Sequence, residues 1–188
     1  MIGGNGWCGW PATGGGSALE YWEQWIDAPQ FGYSPTQDAW REQQYYNAVL
    51  NGDQYSIWLN KEALINSRIY LHDSADYTDL SPEVKLYWQE QRGSHGQNYE
   101  FKAGIVTYEN KQLMNISANL AAASTVDQSA NDDDIIITDL TANLDIQEKP
   151  NPLTGNPLFS YVWLYRGSDQ ASGAAIIYGL KIRYKISL

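Results

Sequence analysis

The sequence predicts a mainly β protein with an α-helical N-terminal segment, in which an antiparallel β-sandwich, best described as a single jelly roll, follows the helices. Two observations carry this prediction. Long stretches in the second half alternate apolar and polar residues with a period of two, as half-buried strands do. Helix-capping signals and helical spacing precede those stretches in the first part of the chain. We therefore expect an N-terminal Gly/Trp-rich arm with helices over residues 1–52 and a jelly-roll-like sandwich domain over residues 53–188.

Helical spacing is found in three places. After a glycine-rich arm at 1–16, Ser17 and Glu20 form a capping-box pair, and Leu19, Trp22 and Ile26 recur at helical intervals. A second helix is expected from about residue 35 to residue 50, because Pro35 suits the first helical turn. Ser81-Pro82 opens a third helix that extends to about residue 93.

Strands are predicted wherever the period changes to two. The longest ends the sequence: Ala174, Ile176 and Tyr178 share a parity that continues through Leu180 to Leu188. Such a strand is more than twice the usual length, and long antiparallel strands after a helical start are typical of a sandwich or jelly roll. The predicted strands cover 54–59, 67–72, 99–105, a hairpin return at 114–120, 136–146, 158–166 and 174–188.

Charge and hydropathy exclude several classes of protein. The formal net charge is −10, whereas contacts to phosphates need a surplus of Lys and Arg, so we expect no direct nucleic-acid partner. No apolar run is long enough for a transmembrane segment. The first thirty residues lack the basic start and apolar core of a secretion signal, which favours the cytoplasm. Cys8 is the single cysteine, so no internal disulfide can form.

Few residues suit catalysis or metal binding. His72 and His95 are the only histidines, and no nucleophile elbow accompanies them. Paired glutamates could hydrolyse glycosides, but the sequence brings no two of them across a cleft. We therefore expect no enzyme, no catalytic residues and no cofactor. No metal is expected either, and the weak calcium candidates are the consecutive carboxylates Asp132, Asp133 and Asp134.

The distribution of tryptophan and charge predicts self-assembly. Tryptophans gather near the N-terminus together with an acidic excess, whereas basic residues alternate on the last strand. Core packing of the helical tryptophans and a lysine-protected sheet edge are the simpler explanations. Our main hypothesis is a structural, self-assembling protein: a viral, phage-type capsid or capsid-associated subunit, found in the virion, assembled in the host cytoplasm, with copies of itself or other virion subunits as partners. Its assembly interface would comprise Trp7, Trp10, Trp22, Trp25, Lys181, Arg183 and Lys185.

A second hypothesis assigns the aromatic residues to sugar recognition. Tyr and Trp rings stack on the apolar faces of sugars as readily as they anchor protein interfaces. The chain would then be a carbohydrate-binding β-sandwich module or a phage attachment protein, with a glycan as partner. Its glycan platform would consist of Trp58, Tyr161, Trp163 and Tyr165.

Overall fold

The described part of the chain forms a sandwich of two β-sheets, each with six strands. The structure is a computed structural model, and it describes residues 20–33, 40–47, 52–71, 81–91, 96–108, 121–128, 134–147 and 159–186. The strands are β1 (Glu20–Asp27), β2 (Gly32–Tyr33), β3 (Trp40–Asn47), β4 (Gly52–Leu59), β5 (Leu64–Ile69), β6 (Glu83–Glu90), β7 (Tyr99–Tyr108), β8 (Thr125–Asp127), β9 (Ile136–Asp139), β10 (Asp145–Gln147), β11 (Phe159–Arg166) and β12 (Ala175–Ile186).

Sheet A has the strand order β3-β4-β12-β6-β9, and all of its pairs are antiparallel. The central strand β12 pairs with β6 along one edge. Its other edge is shared: β4 pairs with residues 175–177, and β1 pairs with residues 179–186. Strands from both sides of residue 52 therefore pair within one sheet.

Sheet B has the order β10-β7-β11-β5-β2, with β8 also on β7. The pairs are antiparallel except β7 with β10, which are parallel. β11 is the centre of this sheet and pairs along its whole length with β7. The mainly β, sandwich-like architecture that the sequence predicted is thus confirmed.

The core lies between the two sheets and is built from alternate residues of their strands. Trp88 is its largest buried side chain, packs against Tyr99 and Phe101 at centroid distances of 4.8 and 4.9 Å, and donates its indole N–H to Thr138 at 2.8 Å. The other large buried apolar residues come from both sheets: Ile26, Ile57, Leu59, Ile65, Ile69, Val84, Leu86, Val162, Leu164, Ile177, Leu180, Ile182 and Tyr184.

The predicted α-helices are wrong throughout the described part of the chain. The first falls on β1, the second on β3 and the third on β6, and the helical turns described are two short 3₁₀ turns, Ala28–Gln30 and Thr141–Asn143. The reason is visible in β6, where Val84, Leu86 and Trp88 are buried in strict alternation. These residues satisfy a period of two, and the capping signals at Ser81 did not outweigh it. The glycine-rich arm at 1–16 lies outside the described residues.

The predicted strands fare better. Those at 54–59, 99–105, 158–166 and 174–188 are confirmed by β4, β7, β11 and β12, and the one at 67–72 lies three residues earlier, as β5. The predicted strand 136–146 is two strands in different sheets, β9 and β10. Asp139 causes the break, because its carboxylate accepts the backbone N–H of Thr141 at 3.0 Å and starts a turn. The return strand 114–120 lies outside the described residues.

The single parity predicted for β12 is also wrong. Its register against β6 shifts between Ile177 and Gly179, which leaves Tyr178 as a bulged residue. Before the bulge, Ala175 and Ile177 face the core. After the bulge, Leu180 and every second residue that follows it face the core. The bulge therefore switches the buried parity within one strand.

Candidate functional site

The outer face of sheet B, which is turned away from sheet A, carries aromatic side chains along β11. Alternate residues of β11 belong to the core, whereas Tyr161, Trp163 and Tyr165 belong to a second apolar cluster with Val106 and Leu64. We call Tyr161, Trp163 and Tyr165 the aromatic row. The alternation read from the sequence at 158–166 predicted this shared face correctly.

Trp163 forms the floor of the aromatic row. It is fully buried, and its indole lies against Gly104 of β7, where a Cβ atom would come within 2.5 Å of three indole atoms. Only glycine leaves room for a tryptophan at this position. The indole N–H is buried and finds no hydrogen-bond partner among the described residues. Trp163 therefore offers no ring face to a ligand, although the sequence placed it in a glycan platform.

Tyr161 and Tyr165 flank Trp163 and are half-buried. Their Cα atoms are about 13 Å apart, because four residues of a strand span that distance. Each tyrosine has a basic neighbour on an adjacent strand: Arg68 of β5 lies opposite Tyr161, and Lys102 of β7 lies opposite Tyr165. The accessible part of the row thus consists of two phenol rings beside charged hydrogen-bond donors.

The Tyr165 end of the row is rich in carboxylates. Burial raises the pKa of Tyr165, and the negative charges of Glu62 and Glu100 raise it further. Glu100 also lies beside Lys102, with 4.0 Å between the carboxylate and the ammonium nitrogen. The shift favours the protonated phenol of Tyr165, which can both donate and accept a hydrogen bond.

A polar depression of about 520 Å³ adjoins this end of sheet B. We call it the end cavity. Glu100 reaches it from β7, and its side chain lies over Gly167, where a Cβ atom would come within 2.7 Å of the carboxylate. Its lining residues come from three separate segments of the chain: Gly96, Gln97, Asn98, Glu100, Val126, Asp169 and Gln170.

A buried ion pair fixes the segment that borders the end cavity. The Arg166 guanidinium binds Asp169 through two nitrogens, at 3.0 and 2.9 Å, and both side chains are almost fully buried. The same guanidinium donates to the carbonyls of Leu59 and Gly173, at 3.0 and 2.6 Å. Asp169 also accepts the backbone N–H of Glu100 at 3.1 Å. The cavity wall is therefore attached to both sheets.

The basic residues of the predicted assembly interface lie on the opposite side of the molecule, on the outer face of sheet A: Lys181, Arg183 and Lys185. Lys181 binds Glu23 of β1 at 2.7 Å. Arg183 lies 3.7 Å from Glu83 of β6 and 4.0 Å from the ring centroid of Tyr21. The sequence interpretation of a lysine-protected edge is wrong, because β12 is an interior strand and these pairs form within the chain.

The predicted tryptophans are divided among several environments. Trp22 packs against the core, whereas Trp25 is 42% exposed on the outer face of sheet A, over Gly179 and edge-on to the ring of Tyr87 at 4.7 Å. Trp58 is half-buried on β4 of sheet A, so the structure does not bring it together with the aromatic row. Trp7 and Trp10 lie outside the described residues.

The calcium candidates are only partly described. Asp134 is exposed, and Asp132 and Asp133 lie outside the described residues, as do His72 and His95. Within the described ranges there is no group of three or more His, Cys, Asp or Glu that could hold a metal ion. In the same ranges, no helix is long and apolar enough to cross a membrane.

Sequence reasoning missed the polar neighbours of the aromatic row. Asn66 and Arg68 of β5 and Lys102 of β7 lie beside it through strand pairing. The alternation at 99–105 carried the signal for Lys102, but only the register between strands brings it to Tyr165. No sequence signal could have located the end cavity, because residues 96–100, 126 and 169–170 meet only through the fold.

Comparison with known proteins gives distant structural likeness alone. No protein-family model and no curated protein matches the chain. One similar solved structure is the Family 11 Carbohydrate-Binding Module from Clostridium thermocellum in complex with a β-1,3-1,4-mixed-linked tetrasaccharide. It shares 10% identity over 85% of this chain and 94% of that chain, with a TM-score of 0.41. A solution structure of CtCBM11 shares 12% identity over 92% of this chain and 98% of that one, with a TM-score of 0.39.

These comparisons correct the main functional hypothesis. The capsid or capsid-associated assignment is wrong, because these two similar solved structures are carbohydrate-binding modules and neither is a virion subunit.

Proposed function

We propose that the chain is a non-catalytic glycan-binding module that holds its ligand on the outer face of sheet B. The observation that carries the proposal is the aromatic row: two half-buried tyrosines are fixed on either side of a buried Trp163 and are bordered by polar side chains. A rigid sheet holds the tyrosines at a constant separation, so little freedom is lost when a ligand binds.

The side chains around the row suit the chemistry of a sugar. Phenol rings pack against the apolar faces of pyranose rings, and the hydroxyls around each ring need partners that both donate and accept hydrogen bonds. Arg68 and Lys102 supply donors on the two neighbouring strands, and Glu100 supplies an acceptor at one end. Half-exposed groups of this kind also accommodate bridging waters.

The finer description of the fold as a jelly roll belongs to the same proposal. Among the described strands, the chain changes sheet at β1 to β2, β2 to β3, β4 to β5, β5 to β6, β6 to β7, β8 to β9, β9 to β10 and β11 to β12. Such repeated crossing between two sheets is typical of a double-sheet jelly roll rather than of two independent meanders.

Affinity measurements with variants of the aromatic row test the proposal. Soluble neutral polysaccharides, including β-glucans, xylans, mannans and a mixed-linked β-1,3-1,4-glucan, are screened by affinity electrophoresis, and the tightest ligand is then titrated by calorimetry. We expect Tyr161→Ala and Tyr165→Ala each to weaken binding about 10-fold or more, because each removes a stacking surface that contributes roughly 1.4 kcal/mol or more.

The matched control is Tyr87→Ala. Tyr87 is also half-buried, but it lies on the outer face of sheet A and contacts Trp25. Circular dichroism establishes that each variant is folded. Equal loss of affinity in Tyr87→Ala, full affinity in both row variants, or no binding to any polysaccharide of the panel would overturn the proposal.

A further inference from the structure

An exposed aromatic side chain follows directly after the end of β5. Tyr70 is 66% exposed, although it is a large and partly apolar residue. Ile65, Ser67 and Ile69 of β5 are buried, and Tyr70 continues the opposite parity, so it lies on the outer face of sheet B. A single exposed tyrosine needs no functional explanation. The significance of Tyr70 therefore depends on its neighbours.

Strand pairing places Tyr70 in line with the aromatic row. β5 and β11 are antiparallel, with Leu64 opposite Tyr165 and Arg68 opposite Tyr161. Tyr70 is two residues beyond Arg68, so it lies past Tyr161 in the direction that leads away from Tyr165, one strand to the side. It is six residues after Leu64, which corresponds to about 20 Å along the strand direction at about 3.3 Å per residue. Tyr70 thus lengthens the line of phenol rings by about half.

Two contacts position Tyr70. The guanidinium carbon of Arg68 lies 4.9 Å from the centroid of the Tyr70 ring, in a cation–π contact. The backbone carbonyl of Tyr70 accepts the hydroxyl of Tyr184, a buried core residue of β12, at 3.4 Å. The ring is therefore held by its own strand and the backbone beneath it by sheet A, so little order has to be gained when a ligand binds.

A phenol ring beside a guanidinium suits a sugar. The ring provides an apolar face, and the guanidinium provides several N–H donors for hydroxyl groups. Arg68 lies opposite Tyr161 and contacts Tyr70, so a ligand that reaches from one ring to the other passes these donors. The exposed fraction of Tyr70 leaves part of its ring accessible to such a ligand.

We propose that Tyr70 is a third stacking residue of the glycan site, so that the chain prefers oligosaccharides long enough to extend from Tyr165 past Tyr161 to Tyr70. This inference rests on the proposed function and adds a requirement to it. A ligand that covers only the aromatic row makes no contact with Tyr70, and a longer ligand gains affinity from that contact.

Oligosaccharides of increasing length test the inference. The polysaccharide that binds best in the screen is prepared as oligosaccharides of two to eight sugar residues, and each is titrated by calorimetry against the wild type and Tyr70→Ala. We expect the two proteins to bind the shortest oligosaccharides within 2-fold of each other. The variant should bind the longest at least about 5-fold more weakly, because it lacks one stacking surface. An equal loss of affinity at every length would indicate a structural role and contradict the inference.

Two further variants separate stacking from other effects. Tyr70→Phe keeps the ring and should bind the longest oligosaccharide within 2-fold of the wild type. Trp25→Ala is the matched control, because Trp25 is also an exposed aromatic residue but lies on the outer face of sheet A, and it should leave the affinity unchanged. Wild-type affinity of Tyr70→Ala for the longest oligosaccharide, together with a loss in Tyr161→Ala and Tyr165→Ala, would refute the third ring and leave the proposed function standing. Absence of binding to every polysaccharide would overturn both.

Discussion

Gly104 permits the sharpest test of how the site is built. The substitution Gly104→Ala adds one methyl group beneath Trp163, where the new Cβ atom would lie 2.5 Å from three atoms of the indole. Real Cβ atoms do not approach other heavy atoms so closely, so the indole must move. Trp163 is fully buried and packs with Val106, Leu64 and the two tyrosines, so a displaced indole must push against these side chains.

The expected cost follows from overpacking. Forcing an extra methyl into a filled site costs about 1–3 kcal/mol. With an m-value of about 2 kcal/mol per molar urea, a loss of 2 kcal/mol lowers the midpoint of unfolding by about 1 M. Once the indole is removed, the effect of Gly104→Ala on the free energy of unfolding should reverse its sign. Trp163→Ala alone costs about 3–5 kcal/mol, but Gly104→Ala added to it should be neutral or stabilising by about 0.5–1 kcal/mol, because alanine is more favourable than glycine within a strand.

Urea denaturation followed by far-UV circular dichroism measures all four species of this double-mutant cycle. The coupling energy should be about 2 kcal/mol or more, as for residues in direct contact. Gly32→Ala is the matched control on the same sheet, because the nearest described atom would lie 3.8 Å from its Cβ atom. The reasoning is refuted if Gly104→Ala costs no more than Gly32→Ala, or if its cost is the same with and without the indole.

Three further predictions concern stability. Arg166→Met should lower the free energy of unfolding by about 3–5 kcal/mol in urea titrations, because it leaves the Asp169 carboxylate buried without its cationic partner; a loss below 1 kcal/mol would contradict this. Gly179→Ala should cost about 1–3 kcal/mol, since its Cβ atom would lie 2.6 Å from a backbone oxygen of β1, which cannot swing aside; a wild-type melting temperature would count against it. The pKa of Tyr165 is raised by folding, so its contribution is present below the unfolded pKa of about 10 and is lost as pH rises through the folded pKa. Tyr165→Phe should therefore lose less stability than wild type between pH 9 and pH 11, and identical pH profiles would exclude this linkage.

The sequence predicted the parts of the fold that depend on local alternation. Tyr161, Trp163 and Tyr165 lie on one face because strand geometry alone requires it. β6 was mistaken for a helix because Ser81-Pro82 resembles a helix start, although Val84, Leu86 and Trp88 alternate. The helix-start signal and the alternating pattern favour different structures. The burial gained by a strand that has neighbours on both sides decided between them.

Other parts of the molecule depend on pairing between distant segments, which the sequence does not show. The bulge at Tyr178 arises from the register of β12 against β6, and it reverses a parity that had looked continuous. The break at Asp139 moves the chain from one sheet to the other. The end cavity has the same origin, because Gln97 and Ser172 meet across 75 residues. These features are caused by tertiary contacts and are not encoded in any short stretch of the sequence.

The position of the two central strands along the chain has a consequence for folding. β11 and β12 are the last two strands described, yet each forms the middle of its sheet. During synthesis, strands β1, β4 and β6 therefore emerge with exposed edges and wait for residues 175–186 before they acquire their partner. Such non-local pairing slows folding and leaves strand edges open to other chains. The outer strands of each sheet are thus synthesised before the central strand, and neither sheet can close until translation has passed residue 158.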